Sequence, residues 1–130
     1  MKILVDLNIQ GEAALLFATL QETGWIEILE LEFVYFSQTP LAENDDDATV
    51  WRYAQAQNFL LLTDNRNRHG QNSMQATLER ENHSQALPVL TVGNKKRLNE
   101  TEYRLKVALA IADVAFYLDN YRGTGRVFIP

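Results

Sequence analysis

Phe59-Leu60-Leu61-Leu62-Thr63-Asp64-Asn65-Arg66-Asn67 is an apolar run of strand length that stops abruptly in a polar turn. The turn carries a carboxylate, two amides and a guanidinium. A run with no polar alternation fits a strand buried on both faces, as in a parallel sheet. Open α/β sheets bind their ligands beyond the carboxyl ends of such strands. The turn after Thr63 is therefore the first place to look for chemistry.

Working outward, Lys2-Ile3-Leu4-Val5-Asp6 reads as a short buried strand ending in an acid. Asn8 and Gly11 suggest a turn. Ala13, Leu16, Phe17 and Leu20 then recur at helical spacing, with Gly24 placed to end the helix. Phe33–Phe36 reads as a second strand, preceded by a lead-in of mixed pattern over Ile26–Glu32. Ser37–Asp46 reads as loop. Asp47 looks like a helix start, with Val50, Trp51, Ala54 and Gln57 following and Asn58 closing it. Ser73 is placed to cap a helix running to about Asn82. Pro88–Gly93 gives another strand and glycine turn, then a basic loop holding Lys95, Lys96 and Arg97. Asn99 or Thr101 would cap the longest helix, about Glu102–Leu118, and Arg126–Ile129 gives a last short strand. Strands alternating with helices in this way predict one three-layer α/β/α domain over residues 1–130, with a mostly parallel five-stranded sheet. Right-handed crossovers leave few topologies for it.

The bulk of the chain narrows the function classes. With 130 residues, 46% of them apolar, it can bury a sizeable core. The absence of cysteine excludes disulfides, thiolate metal sites and cysteine nucleophiles. Asp6 falls too early for a signal-peptide core, and no apolar run is long enough to span a bilayer, so the expected compartment is the cytoplasm. The net charge of −5 divides unevenly. Residues 1–64 hold two basic and eleven acidic side chains, a balance of −9, and residues 65–130 hold ten and six, a balance of +4. The sign changes at the opening stretch. A solvated surface accounts for this as well as an acidic pocket with a basic rim does.

Asp6, Asp47 and Asp64 fall at strand or helix ends on one predicted edge. Carboxylates brought together there repel one another unless a cation or a proton lies between them. Mg²⁺ or Mn²⁺ suits an all-oxygen set with no thiolate and no histidine pair at zinc spacing. Singly, each acid also has a purely structural reading: a cap for the first helix or the Asn8 turn at Asp6, a helix N-cap at Asp47, a local backbone bond at Asp64. His69 and His83 are expected on the surface, and Trp51 and Tyr53 in or near the core.

Ile3-Leu4-Val5-Asp6-x-Asn8, Asp47-x-x-Val50-Trp51-x-x-Ala54 and Leu61-Leu62-Thr63-Asp64-Asn65-Arg66 together resemble the PIN-like fold, in its small stand-alone prokaryotic form. The motifs span residues 3–66, and the rest matches by order of elements. The resemblance implies a Mg²⁺- or Mn²⁺-dependent ribonuclease acting on single-stranded RNA, often the toxin of a toxin–antitoxin pair. It implies Asp6, Asp47, Asp64 and Asn65 as metal-holding residues, the three acids being catalytic. Asn8, Arg66 and Arg68 would meet the phosphate. The family's Thr-x-Asp places its carboxylate at position 65, which is Asn65 here, and a further acid at position 67 is Asn67. One step along a strand turns a side chain to the other face, so Asp64 does not simply replace position 65. An antitoxin-like protein is the partner the toxin reading implies; a catalytically degenerate PIN-like module acting through protein contacts, as a homodimer, is the alternative.

Other folds with acids at strand ends fit less well. A receiver domain wants an adjacent acid pair after the first strand, and a haloacid-dehalogenase-type phosphatase wants Asp-x-Asp, where this chain has Asp6-Leu7-Asn8. There is no glycine-rich phosphate loop and no Gly-x-Ser-x-Gly elbow.

Overall fold

Five short apolar runs make the strands: β1 (Lys2–Val5), β2 (Glu32–Tyr35), β3 (Leu60–Thr63), β4 (Val89–Thr91) and β5 (Arg126–Phe128). They pair in the order β2-β1-β3-β4-β5, all parallel. The structure, a computed structural model, describes residues 1–130. The helices are α1 (Gln10–Glu22), α2 (Trp25–Ile28), α3 (Asp47–Gln57), α4 (Met74–Glu81), α5 (Thr101–Phe116) and α6 (Leu118–Tyr121).

Strand alternation divides the core in two. Leu4, Leu61 and Val89 face one side, where they meet Val50, Trp51 and Ala54 of α3 and Met74 and Leu78 of α4. Ile3, Val5, Leu60, Leu62 and Leu90 face the other, against α1 and α5. β3 is therefore buried on both faces, which is why its sequence carries no polar alternation. Burying each of its leucines contributes about 1.5–3 kcal/mol.

The chain steps from β1 to β2 in one direction and from β2 past β1 to β3 in the other. The strand order reverses between β1 and β3, and the crevice for a ligand opens at their carboxyl ends. The first three crossovers share one hand. The last does not: α5 packs on α1, whereas α3 and α4, which make the same sideways step, cover the opposite face. A uniform right-handed winding, expected for parallel strands, thus fails at β4–α5–β5. Gly123 and Gly125, both at positive φ, turn the chain from α6 back to the sheet edge.

Local signals mostly act as their chemistry suggests. Asn58 ends α3 in the left-handed conformation, and Gly24 does the same after α1. The turn expected at Asn8–Gly11 is instead a 3-10 turn over Leu7–Ile9 that runs straight into α1. The mixed pattern after Gly24 resolves as the four-residue α2. Neither Asn99 nor Thr101 caps α5. Glu100 stands at that position without a capping bond, its carboxylate directed to the Arg97 guanidinium at 3.3 Å. Gly93 follows β4 where a Cβ would lie 2.7 Å from the Pro130 carbonyl oxygen, so only glycine lets Pro130 close over this edge. No helix is long and apolar enough to cross a membrane.

Candidate functional site

Thr63 is the last residue of β3, fully buried, with its side chain on the α3/α4 side of the sheet like that of Leu61. Its hydroxyl donates to Asp6 Oδ2 at 2.6 Å and accepts from the Asn65 N–H at 2.9 Å. Asp6 extends β1, donating its N–H to the Leu62 carbonyl, and its Oδ1 accepts from the Leu7 N–H at 2.9 Å. Burial raises the Asp6 pKa above the usual carboxylate value, and the charges of Asp47 and Asp64 push the same way. The bonds from Thr63 and Leu7 oppose the rise without cancelling it.

Asp46, not Asp47, caps α3: its Oδ1 accepts from the Thr49 N–H at 2.8 Å, and that bond holds its pKa low. Asp47 is thereby free to turn inward. Its Oδ1 accepts from Asn65 Nδ2 at 2.8 Å and its Oδ2 from the Met74 N–H at 2.9 Å. Met74 is the first residue of α4, whose cap is Ser73, as its sequence position suggests. One carboxylate thus lies at the positive ends of two helices, where negative charge is favoured, and ties both to the turn after β3. Asn65 Oδ1 accepts from the Asn67 N–H and Asn67 Oδ1 from the His69 N–H, so both amides order the backbone that follows.

Asp64 takes the other side. It lines an open cleft with Arg66, Gly93, Asn94, Lys95 and Lys96, and its Oδ1 is buried without a hydrogen-bond partner. Its charge is nonetheless felt at Asp6. Lys95 Nζ donates to the Asn8 carbonyl oxygen at 2.9 Å, so Asn8 contributes its backbone while its side chain stays exposed. Arg97 turns away to Glu100 and to the Tyr103 ring, 4.5 Å from its centroid. Arg68 and His69 are exposed in the loop, and His83 is exposed elsewhere. Trp51 is buried and Tyr53 packs edge-on against Phe59, so neither offers a face to a base.

Of the residues singled out by sequence, the fold brings Asp6, Asp47, Asp64 and Asn65 to the mouth of β1 and β3, with Arg66 in the adjoining cleft. No three acidic or histidine side chains converge as a single group. Two residues at the mouth are not apparent from motif reasoning. Arg126, opening β5, sends Nη1 to the Asn65 carbonyl oxygen at 2.8 Å and to Thr91 Oγ1 at 2.7 Å. Thr91 is the register partner of Thr63. An arginine starting an otherwise apolar strand, and threonines ending two others, are the sequence signals that mark them. No family model, curated protein or solved structure matches this chain.

A divalent ion is consistent with part of this donor set. The Asp64 Oδ1 is an orphaned buried acceptor, and each Asp6 oxygen accepts a single bond and keeps a free lone pair. Mg²⁺ commonly takes only one or two protein carboxylates and fills its remaining positions with water and substrate phosphate. Asp47 and Asn65, by contrast, are engaged with each other and with α4. They hold the frame of the site.

Asp6 carries a test of this electrostatic picture. Its folded pKa lies above the 3.8 of an ordinary carboxyl, so the native state binds that proton more tightly than the unfolded chain does. The buried charge lowers stability above the raised value, and the loss is relieved as pH falls through it towards 3.8. Asp6→Asn removes the charge at nearly constant size. Thermal melts without metal are expected to show the stability of Asp6→Asn, relative to the parent, rising as the pH moves from 3.8 towards neutral. A constant difference would mean that Asp6 is not strained by its charge.

Proposed function

We propose that this chain is a Mg²⁺- or Mn²⁺-dependent ribonuclease of the PIN-like type, acting on single-stranded RNA at the carboxyl ends of β1 and β3. The observation that carries this reading is the unpaired, buried Asp64 Oδ1 at the mouth, whose charge reaches Asp6, a carboxyl whose own charge is already disfavoured. Asp6 and Asp64 would hold the ion. When bound, it would lower the pKa of a water and offset charge on the phosphate. The chain's own groups do the rest. The Thr63 hydroxyl and the Leu7 N–H fix the Asp6 carboxylate. Asp47 and Asn65 hold the turn that presents Asp64. Arg66, Lys95 and Lys96 give the cleft the positive rim that a net-acidic protein needs to attract a phosphate backbone. A small antitoxin-like protein that covers this mouth is the partner this reading carries.

A ligand that binds only the native state raises the melting temperature. Millimolar Mn²⁺ is expected to raise that of the wild-type chain and to leave that of Asp64→Asn unmoved. No rise in the wild type would remove the metal from the proposal.

A second reading, a non-catalytic module that pairs with a second copy of itself, draws on the side of the molecule formed by α5. Leu105, Leu109 and Phe116 are exposed along this one helix, with Tyr117 beyond its end. Lys106 and Asp113, both exposed, flank Leu109 at about equal distances along the helix. An antiparallel two-fold contact centred near Leu109 would set the lysine of each copy beside the aspartate of the other and cover the apolar stripe. Light scattering on the eluted protein is expected to give a dimer mass that Leu109→Glu converts to a monomer. A monomeric wild type would end this reading.

A further inference from the structure

Arg126 is held by one side of its guanidinium only. Nη1 makes both bonds, to the Asn65 carbonyl and to Thr91 Oγ1, which fixes the plane of the group at the mouth of the sheet. Nη2 is buried and has no partner. The surroundings do not explain a cation here. Burial disfavours its charge most, Arg68 and Arg66 act in the same sense, and Asp47 alone favours it. Three guanidinium groups near one turn repel one another until an anion lies among them. A planar fork with free N–H groups matches a phosphate in particular.

We propose that Arg126, together with Arg66 and Arg68, binds a phosphate group at the turn after β3. The ligand chemistry is a phosphate oxygen, from an RNA backbone or from a small phosphate-bearing molecule. Placing it on the RNA rests on the ribonuclease reading. The anion site itself needs no metal.

The competing possibility is that Arg126 only fastens the edge strand to the β3 turn. Two measurements, made in EDTA so that the metal reading stands or falls separately, distinguish them. The first is NMR of the arginine side chains during titration with inorganic phosphate, with uridine monophosphate and with a uridine hexanucleotide. The Arg126 Nη2 signal is expected to move. Movement with all three ligands assigns a small-phosphate site, and movement with the hexanucleotide alone assigns a backbone phosphate. The second is hexanucleotide affinity as a function of salt. Arg126→Gln is expected to weaken binding by about tenfold or more, as losing a charged hydrogen bond would. It should also reduce the slope of log affinity against log salt by about 0.7, the signature of one lost contact to a single strand. A purely structural role would leave that slope alone. If Arg126→Gln does not fold, the paired change of the exposed Arg66 and Arg68 to Ala gives the same readout, with a slope lower by about 1.4. An unmoved Arg126 signal with all three ligands, or an unchanged slope in a folded variant, overturns the proposal. Ligand binding that depends on Arg126, found alongside no response to Mn²⁺, would keep the anion site and discard the nuclease.

Discussion

Asp47→Ala is expected to lower folding stability by about 2–4 kcal/mol. Two hydrogen bonds to a carboxylate are lost, from Asn65 Nδ2 and from the Met74 N–H, and bonds to charged groups contribute about 1.5–3 kcal/mol each. The site is partly open, so water replaces some of this and the loss falls near or below the low end of the summed range of about 3–6 kcal/mol. For a chain of this size the melting temperature should fall by about 6–16 °C. Denaturant unfolding checks the free energy. Hydrogen exchange checks the location, since the Met74 amide and the turn at 64–67 should lose protection before the core of β3. Asp47→Asn tells bonding from charge: its carbonyl oxygen replaces one acceptor, but its amide opposes the second donor. It should be less destabilised than Asp47→Ala and still weaker than the parent. A loss below about 0.5 kcal/mol for Asp47→Ala, the range of ordinary surface changes, would show that this carboxylate does not join the two helices.

Asp64→Asn is expected to abolish metal-dependent cleavage of single-stranded RNA, by at least the roughly 100-fold associated with losing a group next to a metal ligand. Its effect on folding should be small. The Asp64 Oδ1 is a buried acceptor with no donor in the protein, so the amide gives up no hydrogen bond there. Asp6→Asn should lose activity too, but both Asp6 oxygens accept hydrogen bonds, so relief of the buried charge is set against one donor that the amide opposes. An acid whose removal costs activity and spares the fold is what a site strained for function produces. Equal cleavage by Asp64→Asn and the parent would take Asp64 out of the chemistry. Loss of cleavage together with several kcal/mol of stability would make its role structural.

How much of this was legible in the sequence follows from which contacts are local. β3 and its turn could be read directly, because a strand covered on both faces must be apolar throughout. Ser73 and Asn58 could be read because capping and a left-handed helix end are decided within three or four residues. The choice between Asp64 and Asn65 could not. It depends on strand alternation continuing past Thr63, so that Asn65 turns to Asp47, eighteen residues back, and Asp64 to the opposite side. The cap of α3 was one residue earlier than expected, because Asp46 and Asp47 are equally good caps and only the fold gives the second carboxylate another use. Arg126 was hidden by distance, its partners lying 61 and 35 residues away. The last crossover was hidden for a related reason: the packing of α5 on α1 sets its hand, and no local pattern records that contact.

In the proposed site, Asp6 and Asp64 would hold a divalent ion between β1 and β3. Anomalous scattering from a crystal soaked in Mn²⁺ tests it most directly. The expected result is a single strong peak about 2.0–2.2 Å from carboxylate oxygens of both Asp6 and Asp64, with Asp47 still bonded to Asn65. An empty position between those two carboxylates, with manganese only on exposed acids such as Glu43 and Asp46, would contradict it.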